Sequence, residues 1–340
     1  RTLFTKRMIG SLAHLQGRYG EAARMHREVL AGFREVFGSI HASQLNTACQ
    51  LALALGALQD FEEAEDALNE VLGQADQHWG REDLKTLEVY RTLGKVYMDW
   101  KRIPEAERVL KIVVENHEKV TGAPPWEDLD RLGMLAEARG AAKEAETWYR
   151  GAVEAGKAVL GEDAMSLVAP TMRLAQLLRK KPGHREEAAK LFEEVLGMLG
   201  TKVPKSHPQR LSALNGLADV YGALGRGEEA VPVLEEVIEI GTAARGDRDS
   251  PTLLARATLG RVLTDLGRYD EAEEVMLDAD RRANQALGPM NPFAGPIHVS
   301  LGGLYRALGR YDDAVKSYRL AAGRFARNGG RTASPTLAST

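Results

Sequence analysis

Three kinds of residue in this chain could do chemistry. The stretch GAVEAGKA at 151–158 matches the phosphate-cradling pattern G-x-x-x-x-G-K up to its last position. That position should carry a Ser or Thr hydroxyl to reach magnesium, and Ala158 has no oxygen. The stretch also lies inside a helical pattern, whose N–H groups are already bonded to carbonyls and cannot hold phosphate. Eight histidines are scattered, and no two stand at the i, i+4 spacing that puts a pair of metal ligands on one helix face. His26 takes a large-residue packing position and is expected to be a satisfied core or boundary histidine. Cys49 is the single cysteine; a nucleophile needs a base and an orienting group, and the sequence nominates neither. Paired carboxylates such as Glu62-Glu63, Glu186-Glu187 and Glu228-Glu229 all open helices, where they favour the positive end of the dipole. No catalytic, cofactor or metal site is expected, and hence no enzyme.

The elements that would position any site are therefore the main question. The 340 residues are 27% charged and 44% hydrophobic, with 45 Lys+Arg against 48 Asp+Glu. That balance excludes a polycation and an acidic disordered coil. No run approaches the roughly 18 apolar residues of a membrane span. One cysteine permits no intrachain disulfide and fits a reducing compartment, the cytoplasm. The chain opens at Arg1 rather than Met, which suggests a piece of a longer protein. The opening RTLFTKRMIGSLAHLQG reads as an amphipathic helix, not a signal peptide.

One pattern recurs throughout: a turn, an acidic residue, then alanine. Its alanines are Ala22, Ala64, Ala106, Ala145, Ala188, Ala230, Ala272 and Ala314, spaced by 42, 42, 39, 43, 42, 42 and 42 residues. This is a solenoid of helix pairs with a period of about 42 residues. Glycines punctuate it. Gly17, Gly140, Gly225, Gly267 and Gly309, with Gly183 in a longer turn, sit between the two helices of a pair. A second set, from Gly38 to Gly288, falls 16 residues after the alanine, with Pro204 replacing it in the fifth unit. Both sets suit the left-handed backbone that ends a helix. A third set, Gly10, Gly94, Gly133, Gly260 and Gly302, lies mid-helix, 12 residues before the alanine. Mid-helix glycine costs about 1 kcal/mol against alanine, so close approach of the partner helix is expected there.

The order Leu-Gly, Tyr, then Gly-Arg-Tyr-Asp-Glu-Ala resembles the tetratricopeptide repeat, as in Leu301, Gly302, Tyr305, Gly309, Tyr311 and Ala314. The 42-residue period is similar to the kinesin-light-chain subtype, whose linker start is matched by Leu160-Gly161 and its end by Ser206-His207-Pro208. The same subtype resembles the C-terminal arrays of nucleotide-binding STAND proteins, the NACHT-type and NB-ARC-type receptors. The resemblance implies an all-α, right-handed α-solenoid of about eight units in one continuous domain over 1–327. The units are approximately 2–38, 44–80, 86–122, 126–161, 168–204, 210–246, 252–288 and 294–327, with a flexible tail at 328–340. It implies a non-catalytic protein- or peptide-binding scaffold, favoured here as the sensor array of a larger STAND-type protein. The alternative is a free-standing cargo adaptor resembling kinesin light chain.

In such arrays the first helix of each pair lines the concave face. Projected onto this chain, that rule nominates Arg7, His14, Asn46, Arg91, Lys95, Asp130 and Glu137, then Gln176, Arg179, Lys180, Asn215, Asp219, Arg261 and Arg306. The groove is expected to be polar and mixed in sign, suited to an extended peptide of alternating charge; the bland alternative is the solvated face of a spacer. Replacing Arg91 and Lys95 by Glu should weaken an acidic peptide and leave helicity unchanged. Nucleic acid is disfavoured, since basic residues alternate with acids and stacking aromatics are few. Neither end carries a polar cap: Phe4, Met8 and Ile9 open the chain, and Tyr318, Leu320 and Phe325 close it. The ends could also meet in a homotypic end-to-end contact.

Overall fold

The computed structural model describes residues 2–38, 40–246, 249–288, 291 and 294–329. Among them the chain is all helical. It falls into two compact units, residues 1–170 and 171–340, taken here one at a time.

The first unit holds four helix pairs. They are α1 (Thr2–Leu15) with α2 (Tyr19–Phe37), α3 (Ala42–Ala57) with α4 (Phe61–His78), α5 (Leu84–Asp99) with α6 (Ile103–Thr121), and α7 (Trp126–Ala138) with α8 (Ala142–Leu160). The second unit holds four more, α9 beginning just before its boundary. These are α9 (Val168–Arg179) with α10 (Arg185–Leu199), α11 (Pro208–Ala223) with α12 (Gly227–Arg245), α13 (Ser250–Asp265) with α14 (Tyr269–Leu287), and α15 (Gly295–Ala307) with α16 (Tyr311–Gly329). Each helix packs on its hairpin partner, and first helices also touch their counterparts, as α3 does α5 and α13 does α15. The expected tail lies outside the described residues from 330 onward, as does Arg331. No described helix is long and apolar enough to cross a membrane.

The signature alanines mark the closest packing: all eight are buried, seven of them completely. Their small side chains let the second helix lie against its neighbours, where a larger residue would have to displace them. The mid-helix glycines serve the hairpin itself. At Gly133 an added Cβ would fall 2.5 Å from the Tyr149 ring, and at Gly260 it would fall 2.3 Å from Met276. The same pairing joins Gly10 to His26, Gly94 to Leu110 and Gly302 to Tyr318. In each case the large residue stands four positions after the signature alanine. The glycine on the first helix is thus the socket for one bulky side chain on the second.

The turn between paired helices needs a left-handed residue five positions before the alanine. Gly17, Gly140, Gly225, Gly267 and Gly309 supply φ of 71–78° there, while Gln59 and Lys101 adopt φ 64° at the same position. Non-glycine residues reach that region only at a cost. Gly183 departs from expectation: it lacks a positive φ, because the extra residue makes a short 3-10 turn at Pro182–His184 instead.

Repeats within each unit are also tied by an arginine in the turn. Arg226 stacks 4.5 Å from the Tyr221 ring and bonds Glu229 and, one repeat back, Glu186. Tyr221 donates its hydroxyl hydrogen to Glu193 of that earlier repeat. Arg102 and Arg310 repeat the arrangement over Tyr97 and Tyr305, reaching back to Glu65 and Glu273. These exposed pairs are individually weak. Their geometry fixes which repeat meets which.

Candidate functional site

The motif at 151–158 lies in the middle of α8, its backbone engaged in the helix, so it offers no phosphate cradle. Among the described residues no three His, Cys, Asp or Glu side chains come together as a metal site. Cys49 is buried, and burial pushes its thiol up to about 12, away from the thiolate a nucleophile needs. His26 is fully buried as expected, but it is not satisfied: neither ring nitrogen has a hydrogen-bond partner. Burial, with His14 and Arg7 close by, lowers its pKa to about 4, so the ring is neutral.

What the first helices do build is a pair of grooves, one in each unit. In the first unit a cavity of about 510 Å³ opens between α1, α3 and α5. Arg7, Asn46, Lys85 and Glu88 line it, over a floor that includes Leu45 and Cys49. A smaller recess beside it, about 240 Å³, is lined by His14 and Lys95, with Asp99 opposite. Of its cations, Arg7 lies 5.4 Å from the Phe4 ring and Lys85 5.3 Å from the Trp79 ring. Neither they nor Lys95 has a carboxylate partner among the described residues.

Arg91 behaves differently. Its guanidinium bonds the fully buried Asp128 carboxylate at 2.8 Å and Glu88 at 2.5 Å. Asp128 also pairs with Arg131, which leaves Arg91 holding α5 to α7 rather than facing a ligand. The expectation that Arg91→Glu leaves helicity unchanged is therefore corrected. A second carboxylate beside Asp128 would strand a buried charge. Asp130 is half-buried on α7, and exposed Glu137 accepts a hydrogen bond from the Tyr149 hydroxyl at 3.0 Å.

In the second unit a larger groove, about 830 Å³, runs along α9, α11 and α13 to α15 and α16. It brings together Gln176, Arg179, Asn215 and Asp219, four of the residues read from sequence. Arg179 and Asp219 bond each other at 2.9 Å. Lys180 is exposed at the end of α9, Arg261 pairs with Asp265 at 3.3 Å, and Arg306 is exposed in the last turn of α15. The rest of the lining is apolar: Leu254, Phe325 and the prolines 208, 251 and 296. Sequence reasoning missed these. Leu254 stands 18 residues before its signature alanine, where Asn46 and Ser212 stand before theirs, so the register was available. It was passed over for being apolar. Phe325 comes from a second helix, outside that register.

Known proteins bear this architecture out. A sequence profile described as tetratricopeptide repeat matches residues 2–77, 209–285 and 253–326, and a second of the same description matches 129–163. No curated protein matches the chain. Among solved structures, a kinesin light chain-type repeat protein of Podosopora anserina is 25% identical, over 60% of this chain and 98% of that one, with a TM-score of 0.51. The apo form of RapI is 12% identical over 97% of this chain and 99% of its own, with a TM-score of 0.64. The apo quorum sensor NprR of B. thuringiensis is 14% identical over 95% and 87%, with a TM-score of 0.51. The likeness to the last two is one of fold. With its profile matched over more than half its length, on the helix pairs described above, this chain belongs to the tetratricopeptide repeat family.

Proposed function

We propose that this chain is a non-catalytic docking scaffold that holds protein or extended peptide segments against its first helices. The observation that carries the reading is that these helices, and not the loops, wall both large grooves, placing Arg7 and Asn46 in one and Gln176, Arg179, Asn215 and Asp219 in the other. The first groove takes an acidic segment, because Arg7, Lys85 and Lys95 carry charge that nothing in the chain neutralises. The setting we favour is the interaction array of a larger STAND-type signalling protein in the cytoplasm, on the resemblance of the 42-residue repeat. The likeness to the Podosopora repeat protein favours a second setting, a free-standing cargo adaptor. Exposed Met8 and Leu12 on α1 and Leu320 on α16 would let copies meet end to end.

A titration of the full chain with an acidic peptide tests the docking role. Lys85→Glu with Lys95→Glu, both at exposed positions, should weaken binding about tenfold with an unchanged circular dichroism spectrum. Unaltered affinity removes this groove from the binding reading. The parent gene upstream of Arg1 separates the settings: a phosphate-binding loop with Ser or Thr after its Lys supports the receptor.

A further inference from the structure

The groove of the second unit differs in chemistry from the one the docking role was first read from. Its charged walls are already neutralised: Arg179 by Asp219 at 2.9 Å, and Arg245 by Asp249 at 3.3 Å. Its amides are half used. Asn215 donates its Nδ2 hydrogen to the Leu211 carbonyl, and Gln176 donates its Nε2 hydrogen to Ser212 Oγ. Both side-chain carbonyl oxygens therefore remain as acceptors, with no further partner among the described residues. Between them and the far end lies bare apolar surface, with Leu254 54% and Phe325 44% exposed.

Resting on the docking role above, we propose that this groove takes an uncharged peptide segment anchored by aliphatic or aromatic side chains, its backbone N–H groups bonded by Asn215 and Gln176. Charge matching selects this occupant. A charged peptide would have to break an internal Arg–Asp pair to gain its own, an exchange with little net return. A fatty acid would bring a carboxylate to a groove whose lining cations are already paired. A backbone N–H meets free acceptors, and an apolar side chain meets Leu254 and Phe325 out of water. A volume of about 830 Å³ holds a segment of several residues, being at the large end of the roughly 300–1,000 Å³ range of ligand pockets.

The test uses the full chain and three sets of short fluorescein-labelled peptides with two Leu or Phe side chains each. One set is otherwise neutral, one acidic and one basic. The neutral set should bind through this groove, with affinity nearly independent of salt. Leu254→Ala should weaken it several-fold and Leu254→Asp by at least about tenfold, with circular dichroism and melting unchanged at this exposed position. Steeply salt-dependent binding confined to the charged sets would overturn this inference and leave the docking role standing. So would neutral binding indifferent to Leu254→Asp, or displacement of the neutral peptide by dodecanoate. If no set binds at all, the docking role falls with it.

Discussion

The two grooves are built on the same helix register and carry opposite chemistry. In the first unit the positions facing the groove hold Asn46, Glu88 and Lys95, with Arg7 and Lys85 unpaired at its rim. In the second, Asp219 pairs within the groove and Leu254 takes the position of Asn46. Backbone and hairpin socket are held constant by alanine and glycine, so a few surface positions set ligand class without touching stability. The repeat separates what folds from what binds.

The sharpest way to break that separation is Arg91, which looks like a groove residue and is a structural one. Arg91→Glu should destabilise the first unit by about 3–5 kcal/mol, because its partner Asp128 is fully buried. Arg179→Glu, the comparable change in the second unit, should cost no more than about 1 kcal/mol, since Asp219 is half exposed. Urea unfolding of the two variants checks the contrast, and equal losses would erase it.

The next effect is one of pH and belongs to the first unit. His26 titrates near 6.5 when unfolded and about 4 when folded. Between those values the unfolded chain binds the proton, so stability falls as pH drops from 6.5 toward 4 and is level above. The loss amounts to at most about 3 kcal/mol. Hydrogen exchange should show α1 and α2 opening first on acidification, and His26→Leu should remove the dependence.

A smaller contrast lies in the turns. Gln59→Gly and Lys101→Gly relieve a left-handed backbone and should each stabilise the first unit by about 0.5–1 kcal/mol in thermal melts. The second unit offers no such gain, as its left-handed turns already have glycine. The smallest expected effect is Lys95→Glu alone. At this exposed site stability should move by less than about 0.5 kcal/mol, while acidic-peptide affinity falls.

Much of the fold was legible because repetition makes geometry visible. The signature alanines, the turn glycines and the mid-helix glycines recur at fixed offsets, and each offset has one physical meaning. Gly183 misled because a single inserted residue converts the turn to 3-10. The site was legible only in part. Asn46, Asn215 and Asp219 follow from register, but the fate of Arg91 depends on Asp128, which lies 37 residues away on another repeat. Leu254 was hidden by the habit of seeking polar residues in a binding groove. Phe325 was hidden because its helix contributes to the groove only at the end of the array.

The central claim is that the two grooves dock different peptides, and hydrogen-exchange footprinting of the full chain tests it most directly. An acidic peptide should protect α1, α3 and α5, and a neutral Leu-containing peptide should protect α9, α11 and α13. Protection of the same helices by both peptides, or of neither set by either, would contradict the account.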